Sequence, residues 1–157
     1  MTEEANNVYP YGERRLTNRL TRYWQDTRGI RTMPEENDLD PDILGEDWPY
    51  CFLLQSRDIA NVQDYNFTYL GERIVQIYFD TGVDQFNEFV VGPNANCLSK
   101  IFERVIASQA PVYDEGEFLT KHGRRVLYRQ CALPLGNEDV GVEAIFGGMS
   151  CKIIENE

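Results

Sequence analysis

Residues 111–153 read PVYDEGEFLTKHGRRVLYRQCALPLGNEDVGVEAIFGGMSCKI, and this stretch decides the fold. Apolar-rich segments of strand length occupy residues 111–119, 125–135 and 142–153. Turn-forming sequences separate them at residues 121–123 and 136–139. Because tight turns join antiparallel neighbours whereas parallel strands need a long crossover, the stretch is predicted to form three antiparallel strands.

Two further strands are predicted upstream. Residues 50–56 are almost entirely apolar, which is typical of a strand buried on both faces. In the next run Tyr65, Phe67 and Tyr69 alternate with polar residues at a period of two. Helical spacing follows at residues 71–79, around Phe86 and Phe89, and at residues 94–106. The order predicts an α+β fold, in which short helices cover one face of a five-stranded antiparallel sheet.

An amphipathic helix is predicted ahead of the sheet, at residues 14–28, with an arginine-rich polar surface. Its apolar stripe consists of Leu16, Leu20, Tyr23 and Trp24. Such a stripe is buried either on the outer face of its own sheet or against the same helix of a second copy, and both can occur together. We therefore predict a homodimer with these four residues as interface candidates.

The length of 157 residues fits one domain. We expect residues 1–12 to form a loose polar arm and residues 13–157 to form a single domain that includes the helix at 14–28. Residues 30–49 lack periodicity and hold three prolines, so we expect them to wrap over the surface of that domain.

Composition limits the partners and the compartment. The formal net charge is −11, and so acidic a surface repels nucleic acid and anionic membranes. No apolar run reaches the ~18 residues of a membrane span, and the acidic N-terminus does not resemble a secretory signal. The four cysteines show no C-x-x-C spacing, which favours free thiols in a reducing compartment. We expect a cytoplasmic protein with no nucleic-acid or membrane partner.

Two patterns resemble metal sites but lack required residues. The spacing of Asp38, Asp40 and Asp42 is that of a calcium loop, yet Ile43 and Pro49 occupy the positions of its glycine and glutamate. His122 is the only histidine and falls in a predicted turn, so we expect neither a haem ligand nor a catalytic triad.

A flavin site is not expected either. Asn96 and Cys97 form the dipeptide of flavin-binding light sensors, but the longer signature of those sensors is missing around it. The sequence predicts no metal and no coloured cofactor.

Several short segments occur in an order that is shared with a known family. They are RYW at 22–24, RGIRTMP at 28–34, DLDP at 38–41, FTYLGERI at 67–74, APV at 110–112, Tyr128 with LPL at 133–135, and IFGG at 145–148. Together they resemble a bacterial single-domain PAS family over about residues 14–153. Residues 137–139 depart from that family, which tends to carry an Asp-Gly turn there. The resemblance implies a PAS-like fold and a sensory or regulatory role in signal transduction, and it implies no catalytic residue.

The aromatic residues suggest a ligand pocket between the sheet and the helices. Its candidate residues are Phe67, Tyr69, Arg73, Phe86, Phe89, Phe102, Tyr128 and Phe146. Such a pocket would hold a small, mainly apolar organic molecule. Because the length leaves no room for an output domain, we expect the signal to leave through contact with an unidentified protein partner.

Two alternatives stay open beside this non-catalytic sensor. The first is an interaction adaptor whose aromatic residues simply fill the core. The second is a small-molecule enzyme on a cone-shaped α+β fold, which would need a buried carboxylate opposite Tyr65 or Tyr128. Glu143 is the one acidic residue that the sequence places inside an apolar run.

Overall fold

The computed structural model describes residues 15–55, 66–81, 95–119, 123 and 125–154. The expected N-terminal arm, the helix expected around Phe86 and Phe89, and the residues Tyr65 and His122 lie outside this described part. The fold and the site are therefore built from the remaining residues.

The order of elements follows the predicted order. The helices are α1 (Leu16–Arg28), α2 (Pro41–Leu44), α3 (Glu72–Thr81) and α4 (Ala95–Ser108). The strands are β1 (Cys51–Gln55), β2 (Asn66–Leu70), β3 (Val112–Leu119), β4 (Arg125–Asn137) and β5 (Gly141–Ile154). Two short 3₁₀ helices, Glu36–Asp38 and Gly45–Tyr50, lie in the connection between α1 and β1.

The strands form one sheet in the order β2-β1-β5-β4-β3, and all four neighbouring pairs are antiparallel. This confirms the predicted five-stranded antiparallel sheet of an α+β fold. The chain passes from β2 at one edge to β3 at the other, and α3 and α4 lie on this crossover. The long β4–β5 hairpin occupies the middle of the sheet together with β1.

One face of the sheet, here called the inner face, is covered by α3 and α4. Ile74 of α3 and Phe102 and Val105 of α4 are buried against side chains from the strands. The strand residues of this inner core include Phe52, Leu54, Val112, Ala132, Ile145 and Met149. The helices predicted on one face of the sheet thus form the inner hydrophobic core together with the strands.

The opposite, outer face is covered by α1 and by the connection that follows it. The apolar stripe of α1 packs with Met33 and Leu44 onto Cys51, Cys131, Leu133, Leu135, Ala144 and Phe146. The indole of Trp24 also donates a hydrogen bond to the carbonyl of Pro134 at 2.8 Å. Both faces of the sheet are therefore buried, which accounts for the nearly continuous apolar runs in the central strands.

This outer core changes the interpretation of the helical stripe. Leu16, Leu20, Tyr23 and Trp24 are all buried against the sheet of their own chain. Of the two burial modes considered for the stripe, the structure shows the intramolecular one. Contact of the same helix with a second copy, the other mode, stays a prediction.

An ion pair fastens α1 to the second 3₁₀ helix. Arg19 donates through Nε and Nη2 to the two carboxylate oxygens of Asp47, at 2.8 and 2.7 Å. The side chains are 17% and 8% exposed, so the pair is largely withdrawn from water. Next to it, the Cys51 thiol donates to the Asp47 carbonyl at 3.2 Å. The connection between α1 and β1 is thereby held on the outer face, where it leads directly into β1.

A β-bulge in β2 separates two aromatic residues that the sequence placed on one face. In the register with β1, Leu53 pairs with Tyr69 and Leu54 with Phe67, so Thr68 is the extra residue. A bulge reverses the alternation beyond it. Phe67 consequently contacts the inner core, whereas Tyr69 contacts the outer core.

Candidate functional site

The inner face changes character along the β3–β4–β5 strands. Near α4 its side chains are apolar. Farther along the strands, two rows of cross-strand neighbours include polar side chains. In the first row Asp114 pairs with Gln130, and in the second Gly116 pairs with Tyr128, which pairs in turn with Cys151. We call these five residues the distal inner face. It adjoins the inner core, since Tyr128 and Cys151 pack against that core.

Gln130 is the unusual member of this surface. It is 5% exposed, and its Nε2 donates to Oδ2 of Asp114 at 3.2 Å. A buried side-chain amide costs roughly 1–3 kcal/mol where its hydrogen bonds are not replaced, and it has two donors and an acceptor oxygen to satisfy. An apolar side chain would fill this position without that cost. The amide is therefore a candidate group for fixing the orientation of a bound molecule.

Tyr128 forms the floor of the distal inner face. A Cβ at Gly116 would lie 2.9 Å from the Tyr128 hydroxyl and 3.2 Å from its ring, so the phenol lies across the glycine. The absence of a side chain at Gly116 lets the ring lie along the sheet. The ring lies on the same face of β4 as the amide of Gln130, two residues along the strand.

Cys151 completes the row beyond Tyr128. Burial raises the pKa of its thiol to about 12. The thiol is therefore protonated and weakly nucleophilic at neutral pH, because the thiolate is the reactive form. Its contribution to the site is that of a small, polarisable apolar group.

A depression of about 650 Å³ lies at this end of the sheet. It is lined by residues 115–117 of β3, 127–129 of β4 and 150–152 of β5. The middle residue of each triplet belongs to the distal inner face. The flanking residues point to the outer face, where Glu115 and Arg129 form an exposed ion pair across the strands.

Three of the predicted pocket residues lie on the inner face. Phe67 and Phe102 both flank Phe52, with ring centroids 6.3 and 6.2 Å from it, and Tyr128 packs at the other end of the same core. Arg73 is exposed on α3, where its Nη1 donates to Gln76 at 3.4 Å. Phe86 and Phe89 lie outside the described residues.

Two other predicted pocket residues lie on the outer face. Phe146 meets Tyr23 of α1 edge to face, with centroids 6.4 Å apart. Tyr69 stacks on Trp48 at 4.0 Å, and its hydroxyl donates to the Trp48 carbonyl at 2.9 Å. Neither can line a space between the sheet and α3 or α4, so both are corrected here. Phe146 faces outward because it follows the inward-facing Ile145, and successive strand residues point to opposite faces. Tyr69 faces outward because it lies beyond the bulge at Thr68.

Reasoning from the sequence missed Asp114, Gln130 and Cys151. A signal was present for Gln130, because it is the one strongly polar residue between Arg129 and the end of the apolar run at Leu135. It also shares the alternation of Tyr128, which predicts the same face. Asp114 had no comparable signal, since it follows from the pairing of β3 with β4.

In the part of the chain that the structure describes, no group of three or more His, Cys, Asp or Glu side chains is arranged to hold a metal ion. Among the same residues, no helix has the length and apolar character that crossing a membrane requires.

A family model described as "PAS domain" matches residues 13–150. No curated protein matches the chain.

The solved structures that match the chain include three at low sequence identity. A sensory box sensor histidine kinase from Vibrio cholerae is 15% identical, with a TM-score of 0.44, over 73% of this chain and 90% of that one. The PAS domain of BvgS from Bordetella pertussis is 19% identical, with a TM-score of 0.44, over 73% and 83% of the two chains. A variant of Vivid is 17% identical, with a TM-score of 0.42, over 66% and 78%.

The family model spans most of the chain, from ahead of α1 into β5. The chain belongs to the PAS domain family.

Proposed function

We propose that this chain is a non-catalytic sensory or regulatory module of signal transduction, which binds a small organic ligand at the distal inner face. The observation that carries the proposal is the amide of Gln130, buried beside an apolar core and held by Asp114. Ligand pockets combine apolar walls with a few polar groups that fix orientation. Gln130, Asp114 and the Tyr128 ring supply that combination here.

The ligand that fits this surface is small and mainly apolar, with a flat portion and at least one hydrogen-bonding group. The flat portion would stack on the ring of Tyr128, since offset stacking is favourable between aromatic groups. Its polar group would meet the amide of Gln130 or the carboxylate of Asp114. We expect the ligand to be colourless, so the purified protein should absorb only in the ultraviolet band of tyrosine and tryptophan.

The test is native mass spectrometry of the purified protein beside its denatured mass. A small molecule retained at one per chain, and lost in Gln130→Leu, supports the sensor. Glu103→Gln is the matched control, because Glu103 is exposed on α4 and the substitution also changes a single polar group. Circular dichroism establishes that both variants are folded. A chain that carries no added mass contradicts the proposed ligand.

A filled-core interaction adaptor is the second candidate, and one observation favours it. The rings of Phe52, Phe67 and Phe102 lie in contact, and Phe102 is 1% exposed, so the part of the inner core near α4 is closely packed. In that case neither the wild-type protein nor Gln130→Leu should carry mass beyond that of its own chain. The substitution should also raise stability, because a buried amide is replaced by an apolar group. The two candidates thus predict different results for the same variant.

The enzyme alternative receives less support. Glu143, the acidic residue in an apolar run, is exposed. Asp114 is half-buried near Tyr128, but its carboxylate accepts the hydrogen bond of Gln130. A general base must reach the proton that it removes, and this carboxylate is engaged with an amide instead. We therefore propose that residues 13–157 act as one binding domain whose output is contact with another protein.

A further inference from the structure

The pair formed by Gln130 and Asp114 presents mainly hydrogen-bond acceptors. Because an ionised carboxylate only accepts, the side-chain amide must direct its NH₂ group at Asp114, and the 3.2 Å contact from Nε2 to Oδ2 agrees with this. The amide oxygen consequently points away from Asp114. The contact also occupies one of about four acceptor positions on the carboxylate, and the other positions stay available to a donor.

The amide oxygen of Gln130 reaches accessible space. In the part of the chain that the structure describes, no group donates a hydrogen bond to this oxygen. If the oxygen were sealed inside the core it would be an orphaned polar atom, yet among the described residues Arg28 Nε is the one buried side-chain nitrogen or oxygen without a partner. The oxygen is therefore open to a donor from a bound molecule.

The carboxylate of Asp114 has no counter-charge among the described residues, since the ion pairs found there involve other acids. The bases of β4 and β5 point to the outer face, because each alternates with an inward residue. They are Arg125, Arg129 and Lys152. The described bases of α3 and α4 are exposed on those helices, and they are Arg73, Lys100 and Arg104. Asp114 thus holds a negative charge beside the inner core that these bases do not neutralise.

We infer that the ligand of the distal inner face is a small planar cation whose charge is carried by N–H groups, as in an amidinium. This inference rests on the proposed function, because it names the chemistry of the molecule bound at that site. The N–H groups donate to the Asp114 carboxylate and to the amide oxygen of Gln130. Hydrogen bonds between a charged donor and a carboxylate are shorter and stronger than neutral ones. The apolar remainder of the ligand packs on the ring of Tyr128 and on the inner core.

Three probes of nearly the same size and shape separate charge from fit. Benzamidine, benzamide and benzoate each join a phenyl ring to a planar head group, which is cationic, neutral and anionic respectively. Isothermal titration calorimetry of the full chain measures their affinities, and where a molecule is already retained, its displacement by each probe is measured. Benzamidine is expected to bind at least about tenfold more tightly than benzamide, because its hydrogen bonds to the carboxylate are charge-assisted. Benzoate is expected to bind most weakly, because it brings a like charge to Asp114.

Asp114→Asn removes the charge and keeps the shape of the side chain, so the preference for benzamidine over benzamide should disappear. Glu115→Gln is the matched control, because it removes one carboxylate from the adjacent residue on the outer face, where the side chain of Glu115 is 72% exposed. The control should keep the preference, and circular dichroism establishes that both variants are folded. A general attraction of cations to so acidic a chain would weaken equally in the two variants, and that result overturns the inference.

The outcomes separate this inference from the proposed function. Benzamidine that fails to bind, or that binds no more tightly than benzamide or benzoate, overturns the planar cation. The proposed function then still stands if the native mass spectrum shows a retained molecule that is lost in Gln130→Leu. A chain that retains no molecule and binds none of the three probes contradicts the proposed function as well.

Discussion

Leu20 of α1 occupies the space directly above Gly148 of β5. A Cβ at Gly148 would lie 2.4 Å from Cδ1 of Leu20, a distance that side chains cannot tolerate. The preceding residue, Gly147, leaves room for the ring of Phe52 on the other face, where a Cβ would lie 2.4 Å from Cζ of that ring. Two consecutive glycines therefore let the helix pack closely on the outer face and an inner-core ring pack closely on the inner face.

Gly148→Ala should destabilise the fold by about 1–3 kcal/mol, because the added methyl group displaces Leu20. Urea denaturation measures the change. In a Leu20→Ala background the same substitution should cost less, since the atom nearest to the added Cβ is gone and the next neighbours, the Tyr50 carbonyl oxygen and Cδ2 of Leu16, lie 3.3 and 3.4 Å away. Ser150→Ala, two residues further along β5, serves as the control and should stay within about 0.5 kcal/mol. Equal losses in both backgrounds would contradict the contact.

Phe102→Ala should cost roughly 3–5 kcal/mol, because it removes a ring that is 1% exposed and leaves a cavity beside Phe52. Chemical denaturation gives the free energy of unfolding. Arg104→Ala, at an exposed position of the same helix, should change it by less than about 0.5 kcal/mol. A loss well below about 1 kcal/mol for Phe102→Ala would show that α4 is not packed as described.

Asp47→Ala should cost about 1–3 kcal/mol, because it leaves the guanidinium of Arg19 without its bidentate partner in a largely buried setting. Glu115→Ala breaks an ion pair of similar kind whose side chains are 50% and 72% exposed, so it should cost under about 1 kcal/mol. Thermal and urea unfolding of both variants provide the comparison. Similar losses in the two would mean that burial does not distinguish these pairs.

Alkaline pH should destabilise the fold through the buried thiol of Cys131. Burial raises the pKa of Cys131 from 9.0 to about 12. Below about pH 9 the thiol is protonated in both states, and its contribution to stability is fully present. Between about pH 9 and pH 12 the unfolded chain binds fewer protons than the folded one, so stability falls by up to about 1.4 kcal/mol per pH unit.

Urea denaturation across this alkaline range checks the thiol prediction. Cys131→Ala should show a shallower fall, because the variant lacks the buried group. Burial also raises the pKa of Cys51, so part of the dependence should persist in the variant. An unchanged slope in Cys131→Ala would assign the dependence to other groups.

Of the five residues of the distal inner face, only Tyr128 was predicted from the sequence. Helical spacing marked Phe102 as inward, and Tyr128, named as an aromatic pocket candidate, packs against the same inner core. Gln130 could have been found from the alternation that it shares with Tyr128. Asp114 could not, because its position beside Gln130 depends on the register between β3 and β4, which the turn alone does not set.

The sequence by itself determined the strands, the helices α1, α3 and α4, and the antiparallel sheet, because periodicity and tight turns are local properties. It also showed that the stripe of α1 must be buried. Only the tertiary structure decided which face each residue occupies: Phe146 joined the outer core, and the bulge at Thr68 turned Tyr69 away from Phe67. The physical reason is that both faces of the central strands are apolar. Alternation divides such a strand into two sides, but the helix that covers each side is chosen by long-range packing, here by Leu20 above Gly148.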